Sequence, residues 1–188
     1  MAVTQVAYEV EGWGLGELVV DDEHVVWHEL PWPRPQPSGP DRRGGAKNPS
    51  QTPTHPGFGA VVSPKPPRGR RAFATEVVQL LQSYFLGEPV PLEEVPVDLE
   101  YGTAFFGRCA AALRTVPRGE AVSYGELAAL AGAPAAARAA GTFCARSHLS
   151  IFVPCHRVVA ADGLGSYGSY GLEYKRRLLA LEGYPGAL

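Results

Sequence analysis

Cysteine is scarce in this chain. Cys109, Cys144 and Cys155 are the only three in 188 residues, and no two are spaced Cys-x-x-Cys. An odd number without paired spacing argues against a disulfide framework or a zinc knuckle, and for a reducing compartment with at least one free thiol. No apolar run approaches the roughly 20 residues that cross a bilayer. The first ten residues, Met1 to Val10, lack the basic and apolar stretches of a secretory leader. The expectation is a protein that stays where it is made, in the cytoplasm, or in the nucleus of a eukaryote, and does not meet a membrane.

An excess of basic charge is also lacking, since the formal net charge is −2. That average hides a segregation. Residues 99–188 carry nine Lys/Arg against six Asp/Glu, and residues 1–98 carry eight against thirteen. The eight basic residues of the first half all lie between Arg34 and Arg71, where Asp41 is the only acid. A polyanion would therefore be met by the second half, with help from this basic stretch.

What is present divides the chain in two. Short alternating segments at 3–10, 15–20 and 24–30 predict strands separated by Gly and Asp-Asp turns. From Pro31 to Gly69 there are eleven Pro and six Gly in 39 residues, which predicts a loop. Apolar residues at helical spacing (Phe73, Val77, Leu80, Leu81, Tyr84) predict a helix over 73–86, stopped by Gly87. Prolines at 89, 91 and 96 mark a connection, and a domain boundary is placed near Asp98. The expected fold is mixed α/β. A strand-rich N-terminal domain with one main helix (1–98) would join a mostly helical, winged-helix-like C-terminal domain (99–188).

In that second half a helix is predicted over 104–116. Ser123-Tyr124-Gly125-Glu126 has the form of a capping box and starts another helix, ending near Gly132. Pro134 suits the first turn of a third, running through Ala135 to Ala140. Two helices joined by a tight turn read as a helix-turn-helix. The second of the pair is nearly all alanine apart from Arg138. Small side chains permit close approach to a nucleic-acid groove, and equally to another packed helix; the residues alone leave both open. An apolar strand, Ile151 to Val153, is predicted to deliver Pro154-Cys155-His156-Arg157. A neighbouring imidazole lowers a thiol's pKa, although adjacent side chains on an extended segment point to opposite faces. A Gly/Tyr-rich loop (163–171) and a helix over 172–182, stopped by Gly183, complete the chain.

Four segments taken together resemble the O6-alkylguanine-DNA alkyltransferase family: Gly102-Thr103-Ala104-Phe105; Pro117-Arg118-Gly119-Glu120-Ala121-Val122-Ser123-Tyr124; Ala136-Ala137-Arg138-Ala139-Ala140-Gly141; and Val153-Pro154-Cys155-His156-Arg157-Val158-Val159. The match extends through Gly171-Leu172, Lys175 and 178–183. It is looser in the first half, at 14–18 and 81–87. The resemblance implies repair by direct reversal, in which an alkyl group passes irreversibly from O6-alkylguanine in DNA to Cys155. It implies no cofactor or metal, a monomer, and double-stranded DNA carrying the lesion as partner. By the same resemblance His156 acts on the thiol through a water, oriented by Glu182, and Tyr124 helps rotate the nucleotide and protonates the leaving guanine. Arg138 fills the gap left by the flipped base. Ala137, Ala139, Gly141, Ser123 and Tyr124 line the DNA contact. Val153, Pro154, Ser147, Ser169, Tyr170 and Lys175 form the substrate pocket.

The chain departs from that pattern at Phe106, Ala110, Ser147-His148 and Tyr170. Tyr170 falls where the pattern has a Gly and is expected to narrow the pocket toward methyl, or to stack on larger adducts if the loop opens outward. Two other readings compete. One is a lesion-binding module that recruits other repair proteins without efficient transfer. The other is a Cys-His hydrolase, which lacks a specified oxyanion hole.

Overall fold

The computed structural model describes residues 2–33 and 68–187. Most of the loop expected at 31–69 lies outside that range. At its two ends the expectation is corrected: Pro31 and Trp32 complete a strand, and Arg68-Gly69 already belong to a helix.

Three antiparallel strands, β1 (Thr4–Val10), β2 (Gly14–Val20) and β3 (Val25–Trp32), form a sheet in sequence order. Alternation puts Tyr8, Val10, Leu18 and Val20 on the buried face. Gly16 is required there. A Cβ on it would stand 2.5 Å from the Tyr8 ring, which lies across it opposite in register. Pro31 falls where the β2–β3 register shifts between Leu15 and Glu17, so the ladder is already interrupted beside it.

Helix α1 (Arg68–Phe85) covers the sheet with Ala74, Val77, Leu81 and Tyr84, a spacing of three to four residues that keeps one face inward. It ends in a Schellman turn: Gly87, at φ 94°, donates to Tyr84 O and Glu88 N–H to Ser83 O. The connection to α2 (Ala104–Arg114) runs back along β3, where Val25 and Val97 pair in parallel. Thr103 caps α2 by accepting from Phe106 N–H.

The predicted capping box is present. Ser123 accepts from Glu126 N–H while Glu126 reaches back to Ser123 N–H, opening α3 (Tyr124–Leu130). The next helix, α4, spans Ala137–Arg146, so it begins later and runs further than the alanine run suggested. Residues 133–136 are instead spent in a turn closed by Ala136 N–H to Ala133 O. The strand expected at 151–153 is not formed. Those residues make a tight turn with Ile151 at φ 74°, closed by Val153 N–H to Leu149 O. Cys155–Arg157 then form a single 3-10 turn. Strand β5 (Val158–Val159) pairs in parallel with β4 (Val122–Ser123), and α5 (Gly171–Leu181) closes the chain, apart from a last 3-10 turn at Pro185–Ala187. One buried cluster runs from Leu18 and Leu30 through Leu113 and Phe143 to Phe152 and Leu178.

The sheet meets the second half at β3. His28 N–H donates to His148 O at 2.9 Å, and His28 Nδ1 to Ser150 O at 2.6 Å. Tyr8 Oη completes the ring by donating to Nε2 at 2.6 Å. With both nitrogens engaged by neutral partners and no access to water, burial holds the imidazole near a pKa of about 4, only partly offset by Ser150.

Candidate active site

Cys155 sits on the 3-10 turn with 7% of its surface exposed. It does not lie on an extended segment, so the expectation of opposite-facing Cys155 and His156 side chains no longer applies. Three groups favour the thiolate. The Cys144 thiol from α4, the Ser147 hydroxyl and the Lys175 ammonium each lower its pKa. Against burial, these hold Cys155 below the ordinary thiol range, while Cys144, as the donor of the pair, is pushed well above it.

His156 is fully buried. Its Nε2 lies 3.0 Å from Glu182 Oε1, and its Nδ1 has no hydrogen-bond partner among the described residues. Glu182, the C-cap of α5, is bound by Arg157 through Nε to Oε2 and Nη2 to Oε1, both at 2.8 Å. Tyr84 donates to Oε1 at 2.6 Å. Burial alone would raise this carboxyl, but His156 and Arg157 outweigh it and keep it well below the usual range. An ionised Glu182 accepts only, so Nε2 carries the imidazole proton and Nδ1 presents a lone pair. Burial lowers the His156 pKa, although Glu182 opposes it.

Lys175 is fully buried and donates to Val158 O, Leu164 O and Ser166 O. Burial lowers its pKa to about 8, with Cys144 and Cys155 pulling the other way. It therefore staples the 163–171 loop from beneath. Tyr124, the first residue of α3, faces the same loop. Its hydroxyl bonds to Ser166, and a Cβ on Gly165 would stand 3.4 Å from it. Burial first, then the Cys144 charge, raises its pKa, so it stays a proton donor.

Most of the expected pocket residues converge here: Val153 and Pro154 are buried beneath Cys155, and Ser147 and Lys175 reach toward its sulfur. Ser169 is exposed on the loop. Tyr170 turns the other way. Its hydroxyl accepts from Leu30 N–H at 3.2 Å, and its ring lies 5.8 Å from Trp32 and 5.2 Å from Tyr174. The expectation that Tyr170 narrows the pocket is therefore replaced by an anchoring contact to β3. Tyr174 makes a second tie by donating to Pro31 O at 2.8 Å.

On α4, Arg138 is exposed, and its side chain has no ion pair or hydrogen bond among the described residues. Ala137, Ala139 and Gly141 are half-buried, and Gly141 packs against the Tyr124 ring. Ser123 is engaged in its capping box. The residues missed from sequence are Tyr84, Tyr101, Cys144, Arg157 and Tyr167. Arg157 stood within a quoted motif and is a plausible carboxylate partner by type. The others act across 11 to 98 positions of sequence.

Among the described residues no group of three His, Cys, Asp or Glu could hold a metal ion, and no helix is long and apolar enough to cross a membrane. These features describe a helix-turn-helix protein that holds a buried cysteine, Cys155, with its thiol pKa lowered. The family model described as "6-O-methylguanine DNA methyltransferase, DNA binding domain" matches residues 104–184. The methylated-DNA–protein-cysteine methyltransferase of Mycolicibacterium paratuberculosis is 49% identical over 114 residues, 60% of this chain and 66% of that protein. The protein of the same name from Methanopyrus kandleri is 44% identical over 106 residues, 55% of this chain and 76% of that one. The aligned stretch thus spans about two thirds of the mycobacterial relative. Among solved structures, Mycobacterium tuberculosis OGT in complex with DNA superposes with a TM-score of 0.66 at 33% identity, covering 98% of this chain and 97% of that one. The O6-methylguanine methyltransferase structure from the same organism gives 0.68 at 30% identity, covering 97% and 93%. The chain belongs to the methylated-DNA–protein-cysteine methyltransferase family.

Proposed function

We propose that this protein repairs alkylated DNA by direct reversal, transferring a methyl or other alkyl group from the O6 of guanine to Cys155. The observation that carries this reading is the unpartnered Nδ1 of a fully buried His156, its tautomer fixed by Glu182, beside a thiol whose pKa is held down. The thiol proton passes through a bridging water to Nδ1, and the imidazolium is stabilised by Glu182. The thiolate attacks the alkyl carbon in line. The S–C bond forms as the C–O6 bond breaks, and the electron pair stays on the guanine, which takes a proton from Tyr124. The product thioether does not hydrolyse, so each molecule acts once and needs no cofactor.

The target carbon is hidden in a stacked duplex and has to be extruded. α4 is the element suited to that task. Its exposed Arg138, unpaired among the described residues, would take the place of the flipped nucleotide, with Ala137, Ala139, Gly141 and Ser123 close to the backbone. Val153, Pro154, Ser147, Ser169 and Lys175 would shape the pocket. The cytoplasm, or the nucleus of a eukaryote, is the compartment this activity requires.

The test is incubation with a duplex carrying O6-methylguanine labelled in the methyl group. The expected result is one label per protein, located on Cys155 by peptide mass, and none in Cys155→Ala. Tight binding without label would instead support a lesion-binding module, and continued turnover a hydrolase.

A further inference from the structure

The loop over residues 163–171 has little of its own to hold it in one shape. Four of its nine residues are glycine at positive φ, and its only regular element is the 3-10 turn at Gly168–Tyr170. Such a segment has much conformational freedom to lose and needs anchorage from outside. Two neighbours on α5 supply it. Lys175 donates to Val158 O, in the strand that leaves the Cys155 turn, and to Leu164 O and Ser166 O of the loop. One ammonium thus ties the loop to the chain beside the acceptor cysteine.

Tyr174 faces the N-terminal sheet instead. Its hydroxyl donates to Pro31 O at 2.8 Å, and its ring stacks on Trp32 at 5.7 Å and 16° and meets Trp13 edge-on at 5.4 Å. The two loop tyrosines pack on the same ring, Tyr170 at 5.2 Å and Tyr167 at 6.4 Å. Tyr170 also touches Trp32 at 5.8 Å. All of these separations lie in the range where aromatic rings attract. We propose that Trp32 and Tyr174 are positioning residues for alkyl transfer, forming an aromatic latch through which the N-terminal sheet holds the 163–171 loop in place beside the Cys155 turn. Tyr174 and Lys175 are consecutive, so a shift of the ring moves the ammonium and, with it, the loop carbonyls. A displacement of about 1 Å set up far from the reacting atoms is enough to slow a transfer that depends on alignment. The latch deepens the repair reading and rests on it for the reaction that it serves.

The test pairs two measurements on the full chain. Hydrogen–deuterium exchange followed by peptide mass reports the loop amides without DNA. Single-turnover methyl transfer at saturating O6-methylguanine duplex reports the reaction, with duplex affinity measured separately. Trp32→Leu is expected to speed exchange over 163–171 about tenfold and to leave α4 within twofold of wild type. Its transfer rate should fall about tenfold while duplex affinity stays within twofold. Trp32→Phe, which keeps an aromatic face, should recover most of the rate, and Tyr174→Phe, which loses only the bond to Pro31, should stay within threefold. Trp32→Leu combined with Tyr174→Leu should be no slower than the slower single variant, because the two rings act through one contact. Exchange that rises equally in the loop and in α4 would make Trp32 a general core residue and overturn the latch. So would a loosened loop with an unchanged transfer rate, or a loss confined to affinity. If Trp32→Leu does not fold, Trp32→Phe and Tyr174→Phe decide by smaller changes in the same two readouts. Loop exchange that responds as expected, in a protein whose wild type transfers no methyl group, would place the fault in the repair reading instead.

Discussion

Two histidines, one on each side of the molecule, are both almost wholly buried and both far from water, yet they do opposite things. His28, in the sheet, has each ring nitrogen closed by a neutral partner, Tyr8 Oη on one side and Ser150 O on the other. His156, in the turn that carries Cys155, has one nitrogen locked by the charged Glu182 and the other without a partner among the described residues. Burial lowers both pKa values. The difference lies in saturation: a histidine whose bonds are all made is a joint, and one with a lone pair in reserve is free to take the proton that the proposed transfer requires. Buried polar atoms in native proteins are nearly always paired, and among the described residues Nδ1 shares its unpaired state only with Thr4 Oγ1 and Tyr167 Oη.

Exchanging the two imidazoles for neutral amides should break that comparison most strongly in the rate of methyl transfer. His156→Gln is expected to lose about a thousandfold, within the span of general-base effects. His28→Gln should stay within severalfold of wild type. Equal losses in the two variants would show that the lone pair is not the distinguishing feature.

Next in size is Glu182→Gln. Removing the charge leaves Arg157 facing a neutral amide in a dry site, and the loss of stability should be about 3 kcal/mol by urea unfolding at neutral pH. Because the amide can donate to Nε2, the His156 tautomer also becomes uncertain, and transfer should fall with stability. A variant as stable as wild type would mean that the Glu182 network contributes little to the fold.

The acid side sharpens the same contrast. A group whose folded pKa is depressed supplies stability that is complete above its unfolded value and is lost as pH falls toward its folded value. For His28 that window runs from 6.5 down to about 4, worth about 3 kcal/mol if the shift is fully expressed. Glu182 adds a loss in the same direction below its ordinary value of 4.5. Stability measured from pH 7 to 4 should therefore fall more steeply in wild type than in His28→Gln. Parallel curves would remove His28 as the sensor.

The smallest effect is expected at Tyr170→Phe. It leaves Leu30 N–H without its acceptor and should cost about 1 kcal/mol of stability. Methyl and benzyl transfer should change together, since the ring faces β3 and not the pocket. A selective gain for benzyl would restore the pocket-narrowing role expected from sequence.

The parts of this architecture legible in sequence are those decided locally. Ser123 and Glu126 announce the start of α3, and Gly87 and Gly183 announce two helix ends, because a cap is settled within a few residues of itself. Cys155, His156 and Arg138 were legible through the motifs that carry them. Ile151 to Val153 misled, because a short apolar run has no periodicity to separate strand from buried turn, and because the conformation of Ile151 is imposed from outside the segment. Tyr84, Tyr101 and Tyr167 reach the site from other elements. Nothing in their immediate neighbourhoods signals where those hydroxyls end. Tyr170 occupies a Gly position of the family pattern, and its partner, Leu30 N–H, lies 140 positions away.

Ile151 also ties the acceptor turn to the sheet. A β-branched residue at φ 74° costs about 1–3 kcal/mol and persists only where its surroundings over-determine it. The surroundings that do so here are the packed core, in which Ile151 is almost completely buried, and the docking of β3 onto Ser150. The turn that carries Cys155 is therefore held from outside itself, and a change that loosens β3 would be felt at the sulfur.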